Sequence, residues 1–178
     1  MTDLNQLANN IYEQNKAVGW WDDPNRCVYQ TLQLVSTELA EATEGERKNL
    51  MDDHLPERRM GEVELADALI RVLDLGGRYG WNYTGNIKAP SPHPLFMDMT
   101  TVGGMHLICN VALVHLTKAV AWGNSYSDGY TKLIDTIIAT ANSQGYDLFG
   151  ALIEKLEYNK KRADHKRENR AKDGGKKF

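Results

Sequence analysis

The chain has 178 residues, of which 42% are hydrophobic and 25% are charged, and its formal net charge is −3. These values are typical of one globular domain that is large enough to bury a core. The two cysteines, Cys27 and Cys109, exclude a disulfide framework and match no zinc-site spacing. The chain begins without a signal-peptide pattern, and no uninterrupted apolar run approaches membrane length. We therefore expect a soluble, cytoplasmic protein with no membrane partner.

The charge is unevenly distributed along the chain. From Lys155 onward ten Lys and Arg residues face four acids, a local balance of +6, so the preceding residues carry −9. An acidic body with a basic tail fits a site in which carboxylates hold metal ions and the tail neutralises phosphates. It also fits a tail that binds nucleic acid.

Apolar residues recur at helical spacing in six segments, and Thr2 or Asp3 can cap the first of them. The predicted helices cover Leu4–Lys16, Val28–Glu46, Arg58–Tyr79, Val102–Trp122, Ser127–Ser143 and Leu148–Asp164. No segment shows the alternation of a strand, and no internal repeat is visible. We predict an all-α fold, a helical bundle of about five to six helices in a single domain over residues 1–178, with a basic C-terminal tail at 165–178.

Between the third and fourth predicted helices lies a long irregular segment, residues 82–100. Pro90, Pro92 and Pro94 block a helix there, so the segment is predicted to be an ordered loop or an extended flap. The fourth helix is apolar around most of its circumference, which favours a place at the centre of the bundle or in a subunit interface.

Two pairs of acids carry the main functional signal. Glu38 and Glu41 are three residues apart on the second helix, and Glu64 and Asp67 are three apart on the third. Such pairs share a helix face, so two packed helices would direct four carboxylates to one place. Oxygen-only ligands suit Mg²⁺ or Mn²⁺ rather than zinc. The helical wheel places Asp67 at the edge of the apolar stripe and Glu64 further toward solvent; the alternative is that all four are ordinary surface acids.

Two further features suggest a phosphate-containing ligand. Lys155, Asn159 and Arg162 form one stripe of the sixth helix, and a cation, an amide and a guanidinium in line suit a phosphate chain. Trp20, in the loop after the first helix, could stack on a base. The alternatives are a solvated basic face and a tryptophan that packs on the core or on a partner subunit.

In this order on an all-α chain, the motifs resemble the MazG-like family of nucleoside triphosphate pyrophosphohydrolases over roughly residues 28–170. Glu38 and Glu41 match the last two acids of the family's E-E-x-x-E helix, Glu64 and Asp67 match its E-x-x-D helix, and the Lys155 stripe matches its C-terminal motif. Thr37 stands where the family often has its first glutamate, so the number of bound metals is left open. The C-terminal ending is similar to phage-type members, among them the dGTP-directed MazZ subgroup.

The resemblance implies that the chain hydrolyses a (d)NTP to the (d)NMP and pyrophosphate, with a purine deoxynucleotide such as dGTP as substrate. It implies Mg²⁺ or Mn²⁺ as cofactor, held by Glu38, Glu41, Glu64 and Asp67. Glu38 or Glu41 would act catalytically by orienting or deprotonating the attacking water.

By the same resemblance, Lys155, Asn159 and Arg162 would bind substrate, the protein would form a homodimer or homotetramer in the host cytoplasm, and no stable nucleic-acid partner is expected. Three alternatives remain at this point. They are a dUTPase-like or diphosphate-cleaving nucleotide hydrolase, a non-catalytic helical module that binds nucleic acid through its basic tail, and a metal-free assembly protein.

Overall fold

A computed structural model describes residues 3–123 and 126–162 of the chain. Its helices are α1 (Leu4–Ala17), α2 (Val28–Lys48), α3 (Met60–Tyr79), α4 (Val102–Trp122), α5 (Tyr126–Ser143) and α6 (Leu148–Lys161). A short 3-10 helix, Pro94–Asp98, lies between α3 and α4. The described residues form no strand, only an isolated antiparallel bridge between Met51 and Arg59. The predicted all-α bundle is confirmed.

Local sequence signals fix the helix ends. The Asp3 carboxylate accepts hydrogen bonds from the backbone N–H groups of Asn5 and Gln6 and so caps α1. Gly80 and Gly123 end α3 and α4 with φ of 67°, a left-handed conformation that glycine adopts without steric cost. The helix boundaries lie within two residues of the predicted ones, except that α6 ends at Lys161, three residues before the predicted Asp164. The predicted end of the last helix, Asp164, and the predicted tail at 165–178 fall outside the described residues.

The helices share one hydrophobic core, to which all six contribute buried side chains. Its central element is α3, which packs against α1, α2, α5 and α6. Most residues of α3 are buried, including Leu65, Leu69, Leu73 and Leu75 at 0% exposure. The sequence favoured α4 for the centre or for an interface, but α4 lies at the side of the bundle against α2 and α5. Only part of the apolar surface of α4 is therefore buried within the chain.

By length and composition alone, α4 is apolar enough to cross a membrane, which the sequence prediction did not anticipate. Core helices of soluble proteins meet the same criterion, so this property is weak support for either location. Its inner side, including Ile108, Cys109 and Leu116, is buried in the bundle, whereas Leu107 is exposed.

The loop between α3 and α4 is ordered by contacts with α5. The Tyr83 hydroxyl donates to Asp135 Oδ1 at 2.7 Å, and the Ser91 backbone N–H donates to Asp135 Oδ2 at 3.1 Å. The His93 backbone N–H donates to Thr136 Oγ1 at 3.0 Å. The 3-10 helix was not predicted, but it begins at Pro94, whose fixed φ suits the first turn of a helix.

Candidate functional site

Three of the predicted acids converge between α2 and α3. Glu38 and Glu41 lie one turn apart on α2, and Glu64 projects toward them from α3, because the two helices pack along each other. One carboxylate oxygen from each residue lies within 4.8 Å of the others. Glu38 and Glu64 are buried and Glu41 is exposed, so the cluster is open to solvent on one side. We call Glu38, Glu41 and Glu64 the carboxylate triad.

Burial changes the protonation of Glu64. Glu64 is 7% exposed, so the expectation that it turns toward solvent is wrong. A helical wheel considers one packing partner, whereas α3 is surrounded by four helices and has little solvent-facing surface. Desolvation raises the pKa of Glu64 well above its ordinary value, and the nearby charge of Asp67 and a hydrogen bond with Glu38 raise it further. A bound cation would reverse this effect.

Arg71 is a site residue that sequence reasoning missed. Its Nη2 and Nε atoms both lie 2.5 Å from Glu38 Oε1, so the guanidinium fixes one carboxylate of the triad. Arg71 stands four residues after Asp67 and seven after Glu64 on α3, and helical spacing alone could have placed it on their face.

Asp67, the fourth predicted ligand, lies beside the triad but ion-pairs with Lys155. Lys155 Nζ is 2.9 Å from Asp67 Oδ2 and 4.0 Å from an oxygen of Asp52, in the loop between α2 and α3. Desolvation raises the pKa of Asp67 to about 6, although Lys155 opposes the shift. Lys155 is itself only 3% exposed. In this structure it is a buried counter-charge for two acids and does not line the cavity described below.

Thr37, which occupies the position of a missing glutamate, does not contribute to the triad. Its hydroxyl donates to the Leu34 carbonyl of its own helix at 2.7 Å, and the residue is exposed. This arrangement favours three carboxylates in the triad rather than a fourth oxygen ligand from Thr37.

A cavity of about 310 Å³ lies next to these acids. Asp67 and Arg71 connect the two, since both line the cavity while Arg71 also holds Glu38. Its wall combines aromatic, cationic, amide and carboxylate groups: Asn15, Trp20, Arg26, Thr31, Leu34, Asp67, Ile70, Arg71, Asp74, Asn159 and Arg162. Three of the predicted binding residues, Trp20, Asn159 and Arg162, therefore line the same cavity, and Lys155 does not.

Two residues that line the cavity, Asn159 and Arg26, have groups that can interact with a ligand. Asn159 Oδ1 is buried and has no hydrogen-bond partner among the described residues, which leaves an acceptor for a ligand donor. Arg26, missed by the sequence analysis, places its guanidinium 5.0 Å from the centre of the Trp21 ring. Arg26 lies in the loop between α1 and α2, and the sequence gave no periodic signal there because a loop has no regular face.

The side chains of this region have the donor and acceptor groups that suit an anionic ligand together with a metal. The triad offers only oxygen donors, which suit a hard divalent cation such as Mg²⁺ or Mn²⁺, and the adjoining cavity offers three guanidinium groups suited to phosphate oxygens. Scans of protein-family models and searches of curated proteins and of solved structures found no match to this chain.

Proposed function

We propose that the protein is a metal-dependent (d)NTP pyrophosphohydrolase of the MazG-like type, releasing the (d)NMP and pyrophosphate. The observation that supports it is the position of the carboxylate triad beside a cavity lined by Arg26, Arg71 and Arg162. A non-catalytic nucleic-acid module has no need for buried acids adjoining a cationic cavity.

The carboxylates of the triad, with Asp67, would hold Mg²⁺ or Mn²⁺. When bound, the metal supplies Lewis-acid polarisation of a phosphoryl oxygen and a lower pKa for a water molecule. The fit is indicated by the all-oxygen donor set, since three carboxylates, two of them buried, place one oxygen each within 4.8 Å of the others. Asp67 would join this set only after Lys155 has moved or shared its contact.

The side chains around the metal site divide into two roles. Arg71 and Arg162 would bind the phosphate chain and offset the charge that develops as the bond between the α-phosphorus and the bridging oxygen breaks. Glu41 is the exposed member of the triad, where solvent water can reach it, and we assign it the orientation of the attacking water. Water then becomes part of the monophosphate, and pyrophosphate leaves.

The base would occupy the far end of the cavity. Trp20 offers an aromatic face for stacking, and the unpartnered Asn159 Oδ1 can accept a hydrogen bond from a sugar hydroxyl or a base. We propose a purine deoxynucleotide such as dGTP as substrate.

A homodimer or homotetramer is supported by the exposed apolar residues Leu107, Val114 and Trp122 on α4.

The test incubates the protein with a panel of purine and pyrimidine nucleoside tri- and diphosphates and Mg²⁺ or Mn²⁺, and measures the nucleotide, pyrophosphate and phosphate products separately. We expect turnover of triphosphates, lost by at least about a hundredfold in Glu41→Gln and Asp67→Asn because each removes a charge from the metal site. Glu44→Gln is the matched control: Glu44 lies one turn beyond Glu41, ion-pairs with Arg47 and Lys48, and should leave turnover unchanged.

Other outcomes would identify the alternatives. Release of phosphate from diphosphates would replace the proposed reaction with a diphosphate-cleaving one. Cleavage confined to dUTP would keep the reaction and replace the proposed purine substrate, as in a dUTPase-like enzyme. Absence of metal-dependent turnover, with salt-sensitive nucleic-acid binding that the acid substitutions do not affect, would favour the module that binds through its basic tail.

A further inference from the structure

A second carboxylate lies in the cavity wall, away from the triad. Asp74 on α3 is 8% exposed, and both its oxygens accept a hydrogen bond from the Trp21 indole N–H, at 3.0 and 3.2 Å. The neutral Asn15 side chain lines the same cavity and lowers the pKa of Asp74. All of these protein donors are neutral, and an ionised carboxylate can accept about four hydrogen bonds. The carboxylate is therefore oriented by the protein and retains acceptor capacity toward the cavity.

Burial of the Asp74 carboxylate is thermodynamically unfavourable unless further hydrogen-bond donors reach it. Desolvation raises the pKa of Asp74 to about 6, against the hydrogen bonds from Trp21 and Asn15 and the charges of Arg26 and Arg71. At neutral pH most of the population is ionised. A ligand that donates N–H groups to this carboxylate would recover part of the desolvation cost.

The separation of Asp67 and Asp74 along α3 matches the distance from the α-phosphate to the base of a nucleotide. Asp67, next to the metal site, and Asp74 both line the cavity and are seven residues apart. Seven residues of α-helix rise about 10 Å, which is the scale of the separation between the α-phosphate and the far edge of the base in a nucleotide. Arg71 lies between the two acids. Phosphates at Asp67 and Arg71 would place the edge of the base at Asp74.

The chemistry of a carboxylate selects among the bases. It accepts and does not donate, so it favours adjacent N–H donors and disfavours carbonyl oxygens. Guanine presents two adjacent donors, N1–H and the 2-amino group, whereas adenine and cytosine present one amino group beside an acceptor. Thymine and uracil flank their single N–H with two carbonyls.

We propose that Asp74 determines the base specificity of this cavity by accepting hydrogen bonds from the adjacent N–H donors of guanine. This role rests on the proposed function, because it assumes that the triphosphate lies at the metal site. Trp21 positions Asp74 and does not contact the base.

The test compares wild type, Asp74→Asn and Trp21→Phe on dGTP, dITP, dATP and dUTP, with kcat and KM determined separately. dITP lacks only the 2-amino group of dGTP and serves as the matched substrate. We expect wild type to prefer dGTP over dITP and dATP, and Asp74→Asn to reduce that preference by about ten- to a hundredfold, mainly through KM. Trp21→Phe keeps the carboxylate and should reduce the preference by a smaller factor.

Calorimetry with dGMP and dAMP measures the same preference without turnover, and circular dichroism reports whether each variant folds. If Asp74→Asn does not fold, the role of Asp74 is decided by the ratio of kcat/KM for dGTP to kcat/KM for dITP, compared between wild type and Trp21→Phe. Two outcomes would overturn the role of Asp74 and leave the proposed function intact. One is a substrate preference that is unchanged in the variants, and the other is a wild type that hydrolyses dGTP and dITP equally well. A wild type that hydrolyses no nucleotide but binds dGMP more tightly than dAMP overturns the proposed function and retains the guanine contact. Absence of both overturns both.

Discussion

At the scale of single residues, Lys155 differs most from its predicted role. The sequence placed it with Asn159 and Arg162 as a phosphate ligand, and the structure buries it between Asp67 and Asp52. A buried cation between acids compensates charge that would otherwise repel. Since Asp67 belongs to the proposed metal set, Lys155 and a divalent cation compensate the same charge.

This competition gives a prediction for Lys155→Met. In EDTA the variant should lose about 3 kcal/mol of unfolding free energy, because the buried Asp52 and the partly buried Asp67 lose their counter-charge. Saturating Mn²⁺ should then raise Tm by more than it raises the wild-type Tm. Differential scanning calorimetry with and without Mn²⁺ measures both effects, and Lys160→Met, in an exposed pair with Glu157, is the control. Equal Mn²⁺-induced gains in the variant and wild type would contradict the competition.

At the scale of elements, the position of α3 against its neighbours depends on glycine. A Cβ at Gly77 would lie 2.5 Å from the backbone oxygen of Ala8 and 2.6 Å from Tyr12 Cβ on α1. These contacts are too short for any side chain, and a backbone atom cannot rotate away. The close approach of α1 and α3 therefore requires glycine there.

We expect Gly77→Ala to lower the free energy of unfolding by about 2 kcal/mol or more, because α1 must move outward from α3. The measurement is urea denaturation followed by circular dichroism. Gly103→Ala, in the first turn of α4, is the matched control, since nothing lies within 4 Å of its added Cβ. The control should gain about 0.5 kcal/mol from the higher helix propensity of alanine. A Gly77→Ala protein as stable as wild type would show that the two helices are not in such close contact.

At the scale of the whole molecule, buried carboxyls couple stability to pH. The pKa of Glu64 is raised well above that of an unfolded chain, and Asp67 and Asp74 are raised to about 6. Between the ordinary and the raised pKa the folded protein binds more protons than the unfolded chain, so the free energy of unfolding falls as pH rises. For the two aspartates this loss is largely complete near pH 6, and for Glu64 it continues above neutrality.

We therefore expect the metal-free protein to lose about 2 kcal/mol of unfolding free energy between pH 6.5 and 8.5, and Glu64→Gln to lose much less. Glutamine imitates the protonated side chain, and comparison of the two proteins cancels the contribution of the histidines. Urea denaturation in EDTA across this range measures the difference. Parallel curves for the two proteins would mean that Glu64 is ionised throughout. Saturating Mn²⁺ should reduce the pH dependence of wild type, since it stabilises the ionised triad.

The sequence by itself determined the elements of this protein. Apolar periodicity, the cap at Asp3 and the glycines at 80 and 123 act over a few residues, so the helices and their ends follow from local chemistry. The same locality placed Glu38 with Glu41 on one face of α2. The resemblance stated from these motifs remains a proposal.

The tertiary structure alone decided which groups meet and which are desolvated. In the folded chain Glu64 is buried and Arg71 pairs with Glu38. Lys155 pairs with Asp67, and Asp74 lines the cavity. None of these follows from helical spacing, because the partners come from different helices and the degree of burial depends on every helix that packs around α3.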